Sequence, residues 1–368
     1  MIGEASGTRA EPHVVIMGGG IAGLSAALRL RALHSPCRIT IVDAAAQLGG
    51  KITGEVVDGC VVDGGPDVCI GERLRATHMF TDLALESRVL RVNPDNLPTY
   101  ERRGGELREF PTRFAGELLT FPRGLHELIE IVQQALDNVT VRTDAPVSSI
   151  AQDKARWLIQ FPDAALPVAA TVATTLADAV IVATPAPVAA ALLSPVVPIQ
   201  AAALRALEYP PTTTVTMAWR SGDVHGALDG TGYLAAHGET SRVSACTWVS
   251  SKNPSHSPSG IVLLRGYVRG TGGDPAELMR QEVAATMGIT AAPLFTRVHE
   301  WPAGIPLYTP AHEAAVRALE ESLTSAPGVF IAGSAFHGVG VPDCIASGER
   351  AAAAAATHLS ERKTEEAA

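Results

Sequence analysis

The chain has 368 residues and a mass of 38.3 kDa, with 46% hydrophobic and 18% charged residues, a balance that supports a packed core and excludes a disordered chain. A net charge of -9 and a pI near 5.7 leave no basic field to gather phosphates, which argues against generic nucleic-acid binding. The length exceeds the usual single-core domain, so two interleaved domains are expected.

Residues 1–11 lack an apolar h-region and read as a short disordered lead rather than a signal peptide. His13-Val-Val-Ile-Met17 is an apolar strand that runs into Gly18-Gly-Gly20-Ile21-Ala22-Gly23 and a small-residue helix start. The three spaced glycines answer three steric demands: a tight turn, close backbone approach to a pyrophosphate, and close helix-on-strand packing. The free N–H groups and positive dipole end of the helix that begins near Ile21 aim at the phosphates. A second apolar strand then ends in Asp43, at the spacing at which an acid holds a ribose hydroxyl. Strand, turn, helix, strand and acid in this order imply a bound dinucleotide, and NAD and FAD both use the pattern.

Two more glycine segments follow, Gly49-Gly50-Lys51 and Asp63-Gly64-Gly65-Pro66-Asp67. The arginines Arg73, Arg75, Arg102 and Arg103 read as solvated. A block over residues 100–111 runs almost at once into Thr120-Phe-Pro-Arg-Gly-Leu-His-Glu-Leu128, with only residues 112–119 between. Phe110, Phe114, Leu118 and Leu119 fit core or cap positions better than a membrane anchor. Residues 139–147 read as a strand and turn, and residues 157–161 as a strand of an inserted sheet. The most apolar stretch, 177–207, is broken by four prolines, which defeats a membrane span. Alternation over 215–219 and 261–268 predicts antiparallel strands with one wet face. Arg220, Arg265 and Arg269 on those strands either bind a substrate carboxylate or face water. Residues 251–260 read as a polar loop that includes Lys252, and 279–287 and 311–323 carry helical spacing. Residues 328–348 form an apolar strand, a glycine loop fit to approach a flat ring, and a helix running into the alanines 351–356. The five cysteines show no C-x-x-C or Cys/His metal spacing, so disulfides and metal sites are not expected.

The glycine segments after Asp43 resemble the extended FAD signature of the amine oxidase and protoporphyrinogen oxidase superfamily. The closing block, Gly333-Ser-Ala-Phe-His337-Gly-Val-Gly340-Val341-Pro-Asp-Cys-Ile345, is similar to that of bacterial protoporphyrinogen and coproporphyrinogen oxidases. Residues 300–312 and the strand-Thr184-Pro185-helix element also match, the former only in part. The resemblance implies an α/β fold: a Rossmann-type FAD-binding domain of the GR2/amine oxidase type with an interleaved antiparallel-sheet substrate domain. The FAD domain is expected from residues 1–75, 139–195 and 325–368, a shortened helical/substrate region from 76–138, and the substrate domain from 196–324.

By the resemblance, FAD is bound non-covalently. Its nucleotide half falls to Gly18, Gly20, Ile21, Ala22, Gly23, Asp43, Ala44, Gly49, Gly50, Lys51 and Val147, with Lys51 where the family usually has Arg. The flavin half falls to Gly65, Pro66, Asp67, Trp301, Gly333, Ser334, Gly340, Val341 and Ile345. No acid–base residue can be read from spacing. The candidates near the flavin face are His337, Trp301, Tyr308 and His312, of which His337 lies in the glycine loop, while Trp301 and Tyr308 are nearer to packing or cavity wall. Neither Lys252 nor Lys154 can be assigned to a lysine–water–flavin arrangement.

The family's long insertion between the 100–111 and 120–128 landmarks is missing, which bears on the substrate cavity roof and on membrane docking. Three functions remain open at this point: an FAD-dependent oxidoreductase taking hydride equivalents from a porphyrinogen (protoporphyrinogen IX or coproporphyrinogen III), an amine oxidase-like or specialised-metabolite oxidase, or a non-catalytic flavin-binding assembly protein. The expected setting is cytoplasmic, without stable membrane insertion. A small-molecule substrate, oxygen or another electron acceptor, and a homo-oligomer complete the expectations.

Overall fold

The computed structural model describes residues 11–33, 37–93, 95–110, 116–162, 173–226 and 228–365. Nearly all of the expected disordered lead, and Phe114 of the short middle segment, lie outside the described residues.

Strand His13–Met17 is buried at every position, as a β-branched run covered on both faces of a parallel sheet must be. It sits at the centre of five parallel strands in the order Thr140–Arg142, Arg38–Val42, His13–Met17, Ala179–Val182, Val329–Ile331. The chain winds outward one way through Arg38–Val42 and Thr140–Arg142, and the other way through Ala179–Val182 and Val329–Ile331. The order therefore reverses between His13–Met17 and Ala179–Val182, and a ligand site belongs at the carboxyl ends of the strands beside that point.

Helix Ile21–Ala32 lies against this sheet and is buried almost all round, because helix Val341–Glu365 covers its other side. Small residues permit the approach. A Cβ on Gly348 would stand 2.1 Å from the Ala22 carbonyl oxygen, and one on Gly23 would stand 1.9 Å from the Gly18 carbonyl oxygen. The second number gives Gly23 the helix-on-strand role expected of the third glycine.

A second sheet has seven strands in the order Phe295–Trp301, Thr212–Arg220, Ile261–Arg269, Val243–Trp248, Gly232–Ala235, Tyr100–Arg103, Glu106–Glu109. All neighbours are antiparallel except Gly232–Ala235 with Tyr100–Arg103. The expected wet face is absent from strand Thr212–Arg220, where Thr213 to Trp219 are all buried, and from the middle of its neighbour Ile261–Arg269, where Leu263 to Gly266 are buried. Helix Pro275–Met287 covers one face, with Met279 and Val283 packed among Met217, Trp219 and Leu264. The other face meets Cys60 and Val249. Alternating sequence marks a half-wet strand only when nothing docks on the polar side, and here Thr214 donates to the Gly64 carbonyl at 2.8 Å.

Two further expectations change. Arg102 is not solvated: it is 6% exposed and pairs with Glu239 at 3.0 Å and Glu282 at 2.9 Å, because its strand joins the seven-stranded sheet instead of lying free. Lys252 is not in a loop but ends the short helix Val249–Lys252, followed by a 3-10 turn at Pro254–His256.

Candidate functional site

A cleft of about 700 Å³ opens at the carboxyl ends of the parallel strands, between them and the seven-stranded sheet. Its size is that of a ligand pocket. Met17, Val42 and Ala183 close the strand side, and Thr212, Thr214, Tyr267 and Trp301 bring in the antiparallel sheet.

At the switch point, Gly18 takes a φ of +105°, and a Cβ there would lie 2.5 Å from the Ala183 carbonyl oxygen, so the turn demands glycine. Gly20 caps helix Ile21–Ala32 without any side-chain hydrogen bond. The first N–H groups of that helix are thus left for a ligand at its positive end. Gly20 also bridges to Gly49, and the Gly49 N–H donates to the Gly19 carbonyl at 2.9 Å, which ties the two glycine turns into one cradle. A Cβ on Gly20 would have nothing nearer than the Gly50 Cα at 4.0 Å, so the space above it is open.

The Asp43 carboxylate is fixed from two sides. The Gly19 N–H donates to Oδ2 at 2.6 Å and the Ala45 N–H to Oδ1 at 2.7 Å. A carboxylate has about four acceptor sites, so capacity remains for the vicinal hydroxyls of a ribose. Lys51 extends from the second glycine turn, donates to the Gly304 carbonyl and lies 5.5 Å from the centre of the Tyr209 ring. Burial lowers its pKa. Among the described residues no carboxylate pairs with it, which leaves its charge free for an anionic group.

Open space over Gly20, an uncapped helix N-terminus, a prepared acid and a free lysine are the donor set that a dinucleotide requires. The residues present therefore fit FAD. Gly18, Gly20, Ile21, Ala22, Asp43, Ala44, Gly49, Gly50, Lys51 and Val147 all line the cleft, as do Gly65, Pro66, Asp67, Trp301, Gly333, Ser334 and Val341. Trp301 is fixed by its indole N–H, which donates to the Gly64 carbonyl at 2.9 Å.

Three expected residues stand behind the wall. Gly23 packs under the turn, Ile345 is fully buried in the core beneath the closing helix, and the Gly340 N–H donates to Asp343 Oδ2 at 3.2 Å. His337 also points away from the cleft: its Nε2 lies 2.7 Å from Glu320 on helix Pro310–Leu323, at the surface. His312 is 1% exposed, with Nε2 2.8 Å from the Ala335 carbonyl. Tyr308 donates to the Ser334 carbonyl at 2.9 Å and accepts from the Gly338 N–H at 2.6 Å. Both hold the glycine loop in place and neither lines the cleft.

Below the Gly65-Pro66 turn lies a charged cluster that the sequence did not announce. Lys252 Nζ is 3.1 Å from Asp67 Oδ2, Arg265 Nη1 is 3.6 Å from Asp67 Oδ1, and Arg265 Nη2 donates to the Gly65 carbonyl. Arg265 is thus spent on the turn and on Asp67, while Arg220 and Arg269 are exposed. Burial alone would raise the Asp67 carboxyl, but Lys252 and Arg265 outweigh it and hold the pKa at about 2. Tyr267, stacked 4.9 Å from the Arg265 guanidinium, was also missed. A tyrosine within a strand pattern carries no mark of which side it faces.

The model of the family "flavin containing amine oxidoreductase" matches residues 107–356, and that of the NAD(P)-binding Rossmann-like domain residues 16–83. Coproporphyrinogen III oxidase from Bacillus subtilis (strain 168) is 24% identical over 473 aligned residues, covering 94% of this chain and 98% of that protein. The alignment is longer than the chain, so that relative carries sequence with no counterpart here. The Staphylococcus aureus enzyme of the same name is 28% identical over 66% of this chain, and the match spans about half of it, 53%. Among solved structures, a protein from Exiguobacterium sp. 255-15 provisionally assigned as a protoporphyrinogen oxidase superposes with a TM-score of 0.81 at 21% identity. That match covers 96% of this chain and all of the other.

Proposed function

The chain belongs to the flavin containing amine oxidoreductase family, and from that premise we propose that it is an FAD-dependent oxidase or dehydrogenase whose substrate is a porphyrinogen. The observation that carries the reading is the similarity to a coproporphyrinogen III oxidase along 94% of this chain, combined with a cleft whose wall includes both the nucleotide cradle and the closing glycine loop. When bound, FAD supplies the acceptor for the hydride equivalents, and the protein supplies position, exclusion of water and electrostatics.

In this reading the uncapped turn at Gly20 and the free charge of Lys51 hold the pyrophosphate, and Asp43 holds the adenosine ribose. Gly333, Ser334 and Val341 sit beside the flavin, with the positive end of helix Val341–Glu365 favouring negative charge there. Binding is non-covalent, and the three FAD segments are those expected at 1–75, 139–195 and 325–368. Among the described residues no helix is long and apolar enough to cross a membrane, and a cytoplasmic setting is part of this reading. Oxygen or another acceptor would be the final electron acceptor, and a homo-oligomer is compatible with the exposed apolar residues Ile305, Leu307 and Val339 near the cleft.

A smaller amine or specialised metabolite is the second reading. It is favoured by the stretch of the B. subtilis relative that this chain lacks, because fewer enclosing walls leave less surface to grip a macrocycle. Anaerobic mixing of the flavoprotein with coproporphyrinogen III, protoporphyrinogen IX and a panel of amines separates the two: the true substrate class bleaches the flavin.

A further inference from the structure

Beneath the cleft lies a small cavity of about 10 Å³ lined by Asp63, Asp67, Thr216, Lys252, His256 and Arg265, among others. That is room for one water molecule. Two donors there lack partners: Arg265 Nε and the Thr216 hydroxyl are buried without a hydrogen bond, with Arg265 2% and Thr216 1% exposed, while Arg265 Nη1 has the 3.6 Å ion pair with Asp67 and no hydrogen bond. Buried polar groups of this kind are normally satisfied. Asp67 lines both the void and the cleft, while Asp63 is 6% exposed and faces the void alone.

We propose that this void holds a single water, hydrogen-bonded by Arg265 and Thr216, which joins Asp67 at the cleft wall to Asp63 in the interior and makes Asp63 the buried end of a proton path from the cleft. The proposal rests on the cleft being the place of oxidation. A proton released in the cleft is taken by the Asp67 carboxylate and handed to the water. The water hands one of its own to the Asp63 carboxylate, which becomes a neutral acid. No bond other than O–H is made or broken, and nothing else is consumed.

The surroundings suit the two acids to these roles. Around Asp63 stand Arg265 from strand Ile261–Arg269, Lys252 from helix Val249–Lys252, Asp67 from the Gly65-Pro66 turn, and the Leu125 N–H, which donates to Oδ1 at 2.8 Å. His256, whose Nε2 lies 3.0 Å from the Phe121 carbonyl, is pushed toward its neutral form by burial. Burial raises Asp63, the charge of Asp67 adds to the rise, and Arg265, the Leu125 N–H and Lys252 only partly offset it, leaving a pKa of about 7. Asp67 stays ionised and can only pass a proton on, whereas Asp63 can keep one.

The test is infrared spectroscopy of the protonated-carboxyl stretch against pH, on both the flavin-free and the FAD-loaded full chain. The expected result is a band that titrates near pH 7 and is missing from Asp63→Asn. Exchange of that proton after transfer to D₂O is expected to slow several-fold in Thr216→Val, which removes one donor to the water. No titrating band in the unsubstituted protein, a band that survives in Asp63→Asn, or exchange that is unchanged in Thr216→Val would overturn the proposal. The unsubstituted titration stands even if Asp63→Asn does not fold. The flavin-free arm stands even if the FAD reading fails.

Discussion

The glycines of the first turn have different jobs, and substitutions separate them. At Gly18 any side chain meets the Ala183 carbonyl and a left-handed φ, so Gly18→Ala is expected to destabilise the fold, seen as a lower midpoint in thermal unfolding. At Gly20 a Cβ fits but a branched side chain enters the cleft, so Gly20→Val is expected to fold normally and lose its flavin, seen as a lost visible absorbance in the purified protein. Asp43→Ala removes the acceptor for a ribose as well as for two backbone N–H groups. FAD affinity should fall roughly ten- to a hundredfold, the worth of one or two charge-assisted hydrogen bonds, read by titration calorimetry. These positions were legible because phosphate binding constrains the backbone locally, within a few residues of sequence. The Asp67–Lys252–Arg265 cluster was not, since its members lie far apart in the chain and nothing in the spacing of Lys252 or Arg265 says which carboxylate they meet. His337 misled for a related reason: its place in a glycine loop says that it is near the cleft but not that its ring turns toward Glu320.

The two acids at the cleft floor act in opposite senses on stability, and the sign follows from their pKa shifts. Asp67, held at about 2 against an unfolded value near 3.9, contributes stability above that unfolded value and loses it as pH falls through the lower one. Asp63, raised to about 7, binds its proton more tightly when folded, so its contribution is full in acid and is lost as pH rises through that value. Asp63→Asn should therefore match the parent only below the unfolded value near 3.9, gain on it as pH rises from there, and hold its full advantage above about pH 7, measured by urea unfolding across the range.

At the scale of elements, packing partners decided what periodicity could not. The strands and helices expected at 215–219, 261–268, 279–287 and 311–323 all form, because their apolar spacing matches the elements they join. The polar threonines of strand Thr212–Arg220 suggested a wet face and are buried instead, since the 60–67 segment docks on them through contacts distant in sequence. The hairpin Tyr100–Arg103 with Glu106–Glu109 was read as part of a separate middle region, yet it extends the seven-stranded sheet. That extension buries Arg102 between Glu239 and Glu282, with the Tyr233 hydroxyl donating to Glu282 at 3.0 Å. Breaking a buried ion pair leaves charge without a partner, so Arg102→Met should cost about 3–5 kcal/mol, read as a lower urea midpoint, while flavin content per folded molecule stays unchanged.

At the scale of the whole molecule, three stretches of sequence contribute strands to one parallel sheet, with the antiparallel sheet threaded between them, and the cleft lies where the two meet. The ends of the chain announced this arrangement because both carry glycine loops that a flavin dinucleotide demands. The middle did not, for a substrate surface has no such fixed backbone requirement and is set by side chains from several strands.

The most direct measurement is an anaerobic stopped-flow experiment in which the flavoprotein is mixed with coproporphyrinogen III and the visible flavin band is followed. Oxidation of a porphyrinogen in the cleft predicts that the band bleaches within a catalytic turnover and returns on admitting oxygen or another acceptor, with porphyrin fluorescence appearing in step. A band that stays unbleached by both coproporphyrinogen III and protoporphyrinogen IX, while an amine bleaches it, would contradict the porphyrinogen assignment and leave the smaller substrate in its place.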